Sequence, residues 1–353
     1  MISKESLTTG WIEKVTKENR NADPSLVEKV IRALLLLEGL AESGLKFTFK
    51  GGTALMLMLN STKRLSIDID IILSDTPDNL DEILASFLEK QGFTRIEIQQ
   101  RNAGTFIDKA HFKFYYKPVH KSYANEEPIL LDILFEANHY SQIVSKTIES
   151  KFIISEGETV SVNIPSFEDL LGDKLTAFAP NTTGIPYFKK EDSKSMEIIK
   201  QLYDIGNLFD VVENVGTIKT TFKKFAEVEL KYRNVEDANA ESVLNDIYQT
   251  ALCISTRGNV DAENFEQLQQ GIQRIRGFIF SENYQIEKAI IHAAKAAYVA
   301  RVIAKDEMEL ERYETPEQIA DALVAQPHNT KLNKLKKTNP EAFFYWWKAT
   351  LLS

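Results

Sequence analysis

Residues 47–73 read FTFKGGTALMLMLNSTKRLSIDIDIIL, and two features of this stretch decide the expected fold. The first is the glycine pair and hydroxyl GGT at 51–53, which lies between a short alternating segment and a nearly all-apolar segment of helical character. The second is DID at 68–70, two acids within a run at 65–73 that otherwise reads as a buried strand. The stretch therefore predicts a strand, a glycine turn, a helix and a second strand that carries acids.

Strand geometry places the two acids together. Residues i and i+2 of a strand project from the same face, so Asp68 and Asp70 are expected side by side, with the neighbouring isoleucines on the other face. Two adjacent carboxylates repel each other unless a cation or water compensates their charge. Mg²⁺ is the expected cation, because it is a hard ion that takes oxygen ligands and tolerates bound phosphate oxygens.

A third acid and the glycine turn extend this candidate site. Asp132 interrupts the apolar run ILLDILF at 129–135, and it is either a third metal ligand or a solvent-facing strand acid. Three carboxylates on adjacent strands would form a site for two Mg²⁺ ions that orient a nucleoside triphosphate (NTP). At the turn, Gly51 and Gly52 let backbone N–H groups approach a phosphate, the helix N-terminus favours its charge, and Thr53 adds a hydroxyl.

The N-terminal half alternates between helical and strand-like segments. Asp23 and Pro24 mark a helix start, as N-cap and first helical residue. Further helices are expected at 53–59, 77–92 and 167–179, and strands at 46–50, 65–73, 94–99, 111–116, 129–135 and 159–164. This interleaving predicts an α/β domain with a mixed sheet.

The C-terminal half is helical nearly throughout. Helices are expected at 195–212, 217–232, 240–253, 262–280 and 286–305, followed by a loop and a last aromatic helix that contains FFYWW at 343–347, a core or interface element. A chain of 353 residues favours two domains. We therefore predict an α/β domain at 1–185 and a mostly α-helical domain at 186–353.

Composition excludes several classes of protein. A net charge of −9 argues against coating nucleic acid by bulk attraction, although a local basic groove remains compatible with it. The single cysteine, Cys253, excludes a disulfide framework and a cysteine-based zinc site, and the five histidines lack metal-binding spacing. No apolar run has membrane-spanning length, and the N-terminus lacks the features of a signal peptide. We expect a cytoplasmic protein with no membrane partner.

The glycine turn and paired acids resemble those of nucleotidyltransferases of the DNA-polymerase-β superfamily, whose signature is G-[GS]-[ST] followed by hDhDh. The chain looks still more like the AbiEii/AbiGii toxin family of type IV toxin–antitoxin systems. The motifs of that family read here GGTAL at 51–55, RLSIDID at 64–70, DLLGDKLTAFA at 169–179 and KQLYDIGNLFD at 200–210. The resemblance covers residues 34–210, and the first two motifs are specific as a pair.

The resemblance implies roles for individual residues. Asp68 and Asp70 would bind metal and, with Lys174 and Asp204, form the catalytic set. Lys174 would contact a phosphate as a point charge, and Asp204 would orient that lysine or the substrate. The implied nucleotide-binding set is Gly51, Gly52, Thr53, Arg64, Ser66 and Lys174. Gln201 departs from the family, which often has an acid or a basic–acid pair at this place, and this weakens a role for the first half of the last motif.

Each of these roles has a simpler alternative. Arg64 is either a phosphate or base contact or a solvated loop residue. Lys174 is otherwise a solvated surface lysine, and Asp204 a cap or pairing partner within the helical domain. The basic residues Arg274, Arg276 and those of KLNKLKK at 331–337 form either an RNA-facing patch or a solvated face.

The resemblance implies an enzyme that transfers a nucleoside monophosphate (NMP) from an NTP to an acceptor hydroxyl, such as a tRNA 3′ end. It also implies Mg²⁺, with Mn²⁺ as a substitute, and a toxin whose partner is a cognate antitoxin. One alternative is a nucleotidyltransferase that acts on a small molecule or a protein hydroxyl. A second is a non-catalytic nucleotide-binding module, which an Asp132 carboxylate directed away from Asp68 and Asp70 would favour.

Overall fold

The computed structural model describes residues 1–59, 63–101, 108–120, 124–235 and 237–352. The chain forms two compact units. Unit 1 comprises Met1–Ser166 with Gly277–Asn283, and unit 2 comprises Phe167–Arg276 with Tyr284–Ser353. Within the described ranges, no helix is both long and apolar enough to cross a membrane.

Unit 1 contains a mixed sheet, as predicted. Its helices are α1 (Thr9–Glu18), α2 (Pro24–Glu42), α3 (Gly51–Met58) and α4 (Leu80–Ser86). Its strands are β1 (Thr48–Lys50), β2 (Ile69–Leu73), β3 (Arg95–Arg101), β4 (Asp108–Tyr116), β5 (Glu127–Phe135), β6 (Ile143–Thr147) and β7 (Ser161–Pro165). The strand order is β3-β4-β5-β2-β1-β7-β6. The pairs β2–β5 and β1–β7 are parallel, and the other pairs are antiparallel.

Helix α2 anchors the core of unit 1. The Asp23 carboxylate accepts a hydrogen bond from the Ser25 N–H at 2.8 Å, and Pro24 is the first helical residue, so the predicted cap is confirmed. The helix packs against β2 and β5 with a nearly continuous set of buried leucines. Burying this apolar surface supplies the main driving force for the unit to fold.

Unit 1 differs from the prediction at α1, which was not predicted, and at three further segments. β2 begins at Ile69 rather than at residue 65, because the preceding residues pair elsewhere: the Leu65 N–H donates to the Phe278 carbonyl at 2.8 Å, and Arg64 forms a β-bridge with Ile279. α4 ends at Ser86 rather than at residue 92, and Phe87 then stacks on Phe114. β6 was not predicted because it is a largely exposed strand that pairs only with β7.

Unit 2 is mostly helical, and its described residues also form one small hairpin. Its helices are α5 (Phe167–Ala177), α6 (Ser195–Phe209), α7 (Val215–Tyr232), α8 (Ala240–Ser255), α9 (Ala262–Ile275), α10 (Ile286–Ala304), α11 (Asn329–Thr338) and α12 (Pro340–Leu351). The hairpin is β8 (Phe188–Lys189) with β9 (Asp192–Ser193). α10 packs against α6, α8 and α12, and α5 packs against α6 and α7. The domain boundary at 185/186 stays a prediction.

Two helices of unit 2 differ from the prediction. α9 ends at Ile275 rather than at residue 280, because the segment Gly277–Asn283 belongs to unit 1. α11 forms where a loop was expected, with Leu332 and Leu335 buried. The aromatic tail is core, as one of the two predicted alternatives had it: Phe343, Phe344, Tyr345 and Trp346 are buried.

A buried histidine in unit 2 is expected to make the stability of that unit depend on pH. His292 on α10 is 1 % exposed, its ring lies against Gly206 on α6, and Nδ1 has no hydrogen-bond partner in the described structure. Burial, and then the charges of Lys295 and Lys288, lower the pKa of His292 well below its ordinary value of 6.5. Folded His292 therefore stays neutral at a pH where the unfolded chain takes up a proton.

We expect His292→Phe to weaken the acid dependence of stability. Below pH 6.5 the unfolded state binds a proton that the folded state does not, so this residue should lower the free energy of unfolding by about 1.4 kcal/mol per pH unit. Urea unfolding of wild type and variant at pH 5, 6 and 8 measures the difference. Equal slopes for both proteins between pH 6 and pH 5 would contradict the assignment, and pH 8 serves as the reference condition.

Candidate active site

Four polar side chains form a row across the sheet of unit 1. His111 on β4 is in register with Asp132 on β5, Asp132 with Asp70 on β2, and Asp70 with Lys50 on β1. Residues directly opposite in register project from the same face of a sheet. All four are half-buried, whereas the residues flanking Asp70, Asp132 and His111 along the strands face the core: Ile69, Ile71, Leu131, Ile133, Ala110 and Phe112. We call His111, Asp132, Asp70 and Lys50 the polar row.

The polar row brings two predicted carboxylates together. Asp132 lies beside Asp70 and not on the opposite face, so the arrangement that would favour a non-catalytic module is not found. β5 lies between β4 and β2, so Asp132 is not on an edge strand, but the alternative of a solvent-facing strand acid stays open. The side chain of Asp132 is 38 % exposed and that of His111 is 35 % exposed, so solvent reaches both.

Asp68 lies outside the strand. It directly precedes β2, so the prediction that both acids project from one strand is wrong; the cause is the pairing of the preceding residues with Phe278 and Ile279. Its backbone is held instead by Thr53, whose hydroxyl donates to the Asp68 carbonyl at 2.6 Å. Thr53 is completely buried, so its side chain fixes Asp68 rather than presenting its hydroxyl to a ligand.

The glycine turn lies directly against the predicted ligand residues. Gly51 has a φ of +81°, and a Cβ built there would overlap the Asp70 Oδ2 atom. A Cβ on Gly52 would lie 2.6 Å from Arg64 Nη2 and 2.7 Å from Ser66 Oγ. Only glycine allows this approach, and the first turn of α3 has no side-chain cap. The structure thus brings Gly51, Gly52, Arg64, Ser66 and Asp70 together at the N-terminus of α3.

Arg64 is an ordered, buried residue. It is 7 % exposed, and its Nη1 donates to the Leu65 carbonyl at 3.1 Å. The alternative of a solvated loop residue is therefore excluded. Its guanidinium edge against Gly52 gives the turn a fixed positive charge near the α3 N-terminus, where both the charge and the helix dipole favour an anion.

Unit 2 holds the other predicted residues in a buried ion pair. Lys174 Nζ on α5 lies 2.8 Å from Asp204 Oδ2 on α6, and the two side chains are 7 % and 3 % exposed. Lys174 also donates to Gln201 Oε1 at 3.2 Å. Lys174 is thus not a solvated surface lysine, and Asp204 is a pairing partner within the helical unit, as its simpler alternative had it. The phosphate contact of Lys174 and the orienting role of Asp204 stay predictions. Gln201, the departure from the family pattern, serves as a neutral acceptor for the same ammonium group.

We expect Asp204→Asn to destabilise unit 2 by about 3–5 kcal/mol, because it leaves the buried Lys174 ammonium without a counter-charge. Urea unfolding measures the loss. The Lys219–Asp306 pair is a matched control, since its Nζ–Oδ1 distance is 2.7 Å but Asp306 is 82 % exposed. Asp306→Asn should cost far less, because solvent screens the charge of the exposed Asp306 carboxylate, although Lys219 is as buried as Lys174. Equal losses in the two variants would contradict the importance of burial here.

The carboxylates fit a divalent cation by their chemistry. Mg²⁺ is usually held by one or two carboxylates together with substrate phosphates and water, and Asp70 with Asp132 supplies such a pair. Within the described residues, no three His, Cys, Asp or Glu side chains are placed to hold a metal ion together. The full ligand set of Asp68, Asp70 and Asp132 therefore stays a prediction.

Two members of the polar row were missed in the sequence. His111 lies in an alternating strand whose even-numbered residues are apolar, so the sequence pattern predicts that His111 lies on the polar face. Its partner, Asp132, follows only from the pairing of β4 with β5. Lys50 directly precedes the glycine pair, and its Nζ lies 5.6 Å from the centroid of the Tyr140 ring.

The basic residues of the predicted patch are exposed, namely Arg274, Arg276, Lys331, Lys334 and Lys337. Their exposure agrees both with an RNA-facing patch and with a solvated face.

Carboxylates on neighbouring strands of a mixed sheet, next to a glycine turn that starts a helix, are what the resemblance to nucleotidyltransferases implied. Residues 35–280 match the family model described as nucleotidyl transferase AbiEii toxin, type IV toxin–antitoxin system. The chain belongs to this family and is a nucleotidyltransferase of the toxin class. The match contains all four sequence motifs, so the predicted resemblance is confirmed.

Two solved structures from Helicobacter pylori are similar to this chain. JHP933 is 14 % identical, with 87 % of this chain and 96 % of that chain covered and a TM-score of 0.43. A second protein, provisionally described as a nucleotidyltransferase, is 16 % identical, with 79 % and 94 % covered and a TM-score of 0.42. No curated protein matches the chain. Because both TM-scores lie below 0.5, the assignment depends on the family match.

Proposed function

We propose that this nucleotidyltransferase transfers an NMP from an NTP to the 3′-terminal hydroxyl of tRNA in a reaction that requires Mg²⁺, with Mn²⁺ as a substitute. The observation that carries the proposal is the in-register pair of Asp70 and Asp132, placed directly beside the Gly51 turn. In the reaction the acceptor oxygen bonds to the α-phosphorus, the bond from that phosphorus to the bridging oxygen breaks, and pyrophosphate leaves. The hydroxyl proton passes to solvent.

The predicted site residues would bind the phosphates and the cation. The backbone of Gly51 and Gly52, with Arg64 and Ser66, would hold the phosphates at the N-terminus of α3. A bound divalent cation would neutralise charge that develops on the phosphate oxygens. Asp68, Asp70 and Asp132 would hold that cation.

Lys174 would contact a phosphate, and Asp204 would keep its side chain oriented. The buried ion pair between them supports this role, because Asp204 fixes the position of the Lys174 ammonium group. Lys174→Met should therefore lower transfer even under conditions in which the protein remains folded. A Lys174→Met protein that is folded and fully active would remove Lys174 from the catalytic set.

The acceptor is tested with total tRNA and an NTP labelled at the α-phosphate. We expect label in intact tRNA and none in tRNA whose 3′-terminal diol has been oxidised with periodate, because oxidation removes the attacking hydroxyl. Parallel reactions with an aminoglycoside, or with the protein alone, address the small-molecule and protein-hydroxyl alternatives. Equal labelling of intact and oxidised tRNA would exclude the 3′ end as the acceptor.

The toxin class implies a protein partner, and we propose a cognate antitoxin and a cytoplasmic site of action. The family match supports both. Induced expression of the chain should arrest growth, and Asp70→Asn should relieve the arrest at an equal protein level. An arrest of the same strength with Asp70→Asn would show that toxicity does not depend on transfer.

A further inference from the structure

His111 is the member of the polar row that no motif includes. Its Nδ1 atom lies 2.7 Å from Asp132 Oδ1, a short distance for a nitrogen–oxygen hydrogen bond. A carboxylate oxygen accepts hydrogen bonds, so in the tautomer with a hydrogen on Nδ1 the imidazole is the donor. The bond joins β4 to β5 at the point where Asp132 lies next to Asp70.

This bond is not needed to hold the two strands together. β4 and β5 pair along their entire length, from Asp108 opposite Phe135 to Tyr116 opposite Glu127. The core-facing residues of both strands are already buried. A side-chain bond between two residues that are each more than one-third exposed adds little to such a ladder. Its consequence lies in the direction of the Asp132 carboxylate.

The carboxylate direction matters because Asp70 and Asp132 repel each other. Strands in a sheet are separated by about 4.8 Å, so two in-register carboxylates lie close enough for their charges to interact. Without a cation, this repulsion favours rotamers that move Asp132 away from Asp70. A donor on the side of Asp132 opposite Asp70 both reduces its charge density and limits its rotation.

We infer that His111 is a positioning residue, which holds the Asp132 carboxylate in place for a divalent cation shared with Asp70. The inference depends on the proposed function, in which Asp132 is a metal ligand. His111 acts through Asp132 and does not contact the substrate. Carboxylates that bind metal are generally fixed by hydrogen bonds from outer residues, and loss of such a partner lowers metal affinity by about 10- to 100-fold.

The test measures binding of Mn²⁺ alone to the full chain, by the loss of the free-ion signal in electron paramagnetic resonance. His111→Phe keeps an aromatic ring on the strand and removes the donor. His111→Asn keeps a donor, because its amide nitrogen takes roughly the place of Nδ1. Lys113→Ala is the matched control, two residues along the same face of β4. Melting temperatures show that each variant is folded.

We expect His111→Phe to bind Mn²⁺ about 10- to 100-fold more weakly than wild type, as Asp132→Asn should also do. His111→Asn should recover most of the affinity, and Lys113→Ala should match wild type. Recovery by asparagine separates a donor role from a merely structural one.

Three results would overturn the inference. If Asp132→Asn binds weakly but His111→Phe binds like wild type, His111 has no positioning role, although the metal site of the proposed function stands. If His111→Asn is as weak as His111→Phe, the donor is not what matters. If Asp132→Asn binds like wild type, or wild type binds no Mn²⁺, both the inference and the assignment of Asp132 as a metal ligand fail.

Discussion

Asp70→Asn is expected to reduce NMP transfer by at least about a thousandfold while the protein remains folded. Asp70 is at the centre of the predicted site, in register with Asp132 on one side and Lys50 on the other, and its carboxylate lies against Gly51. Asparagine has the same shape but no charge, so it is a poor ligand for a hard cation. Losing several kcal/mol of charge stabilisation in the transition state corresponds to this factor.

A residue just beyond β2 provides a control for Asp70→Asn. Asp75 is exposed and lies beyond the other end of β2, so Asp75→Asn removes the same charge from the same part of the sheet without touching the site. Initial rates with α-labelled NTP and tRNA, at saturating Mg²⁺, give the comparison. Asp75→Asn should keep wild-type activity. An Asp70→Asn enzyme that retains a tenth of the wild-type rate would exclude Asp70 as an essential metal ligand.

Gly51→Ala should be the second most damaging change, with a loss of transfer of about a hundredfold or more. The φ of +81° makes any other residue strained at this place, and the new Cβ would overlap Asp70 Oδ2. The carboxylate or the turn must then move. A displacement of about 1 Å at a catalytic group is enough for a hundredfold loss of rate.

Gly44→Ala is a control that separates backbone strain from displacement of Asp70. It has a nearly identical φ of +79°, but a Cβ there would meet nothing within 4 Å. Gly44→Ala should therefore lose stability through backbone strain alone, roughly 1–2 kcal/mol, and keep full activity. Urea unfolding and initial rates on both variants measure the two effects. Equal activity in the two variants would show that contact between residue 51 and Asp70 has no catalytic importance.

Much of this fold could be predicted because local signals were strong. The glycine pair before an apolar helix, the caps at Asp23 and Pro24, and the helical periodicity after residue 191 each depend on neighbours in sequence. Strand β2 was predicted four residues too long, since Arg64 and Leu65 pair with residues more than 200 positions later. A pattern among neighbouring residues cannot predict a pairing partner so far away in the sequence.

The sequence identified the acids of the candidate site but did not predict how they are arranged. Asp70 and Asp132 stood out because each is an acid within an apolar run. Their neighbours in the polar row are set by the strand order and register, which place His111 and Lys50 on either side. The Thr53 hydroxyl could bind a phosphate by its chemistry, but it is buried and donates a hydrogen bond to the Asp68 carbonyl. Burial of this kind depends on packing rather than on residue type.

The central claim is that the polar row and the glycine turn transfer an NMP rather than a phosphate. The most direct measurement incubates the wild-type chain with tRNA, Mg²⁺ and each NTP, labelled in parallel at the α-phosphate or the γ-phosphate. We predict that α-label becomes covalently attached to tRNA with at least one NTP, and that γ-label appears only in released pyrophosphate. Attachment of γ-label to tRNA, or no attachment of α-label with any NTP, would contradict the claim.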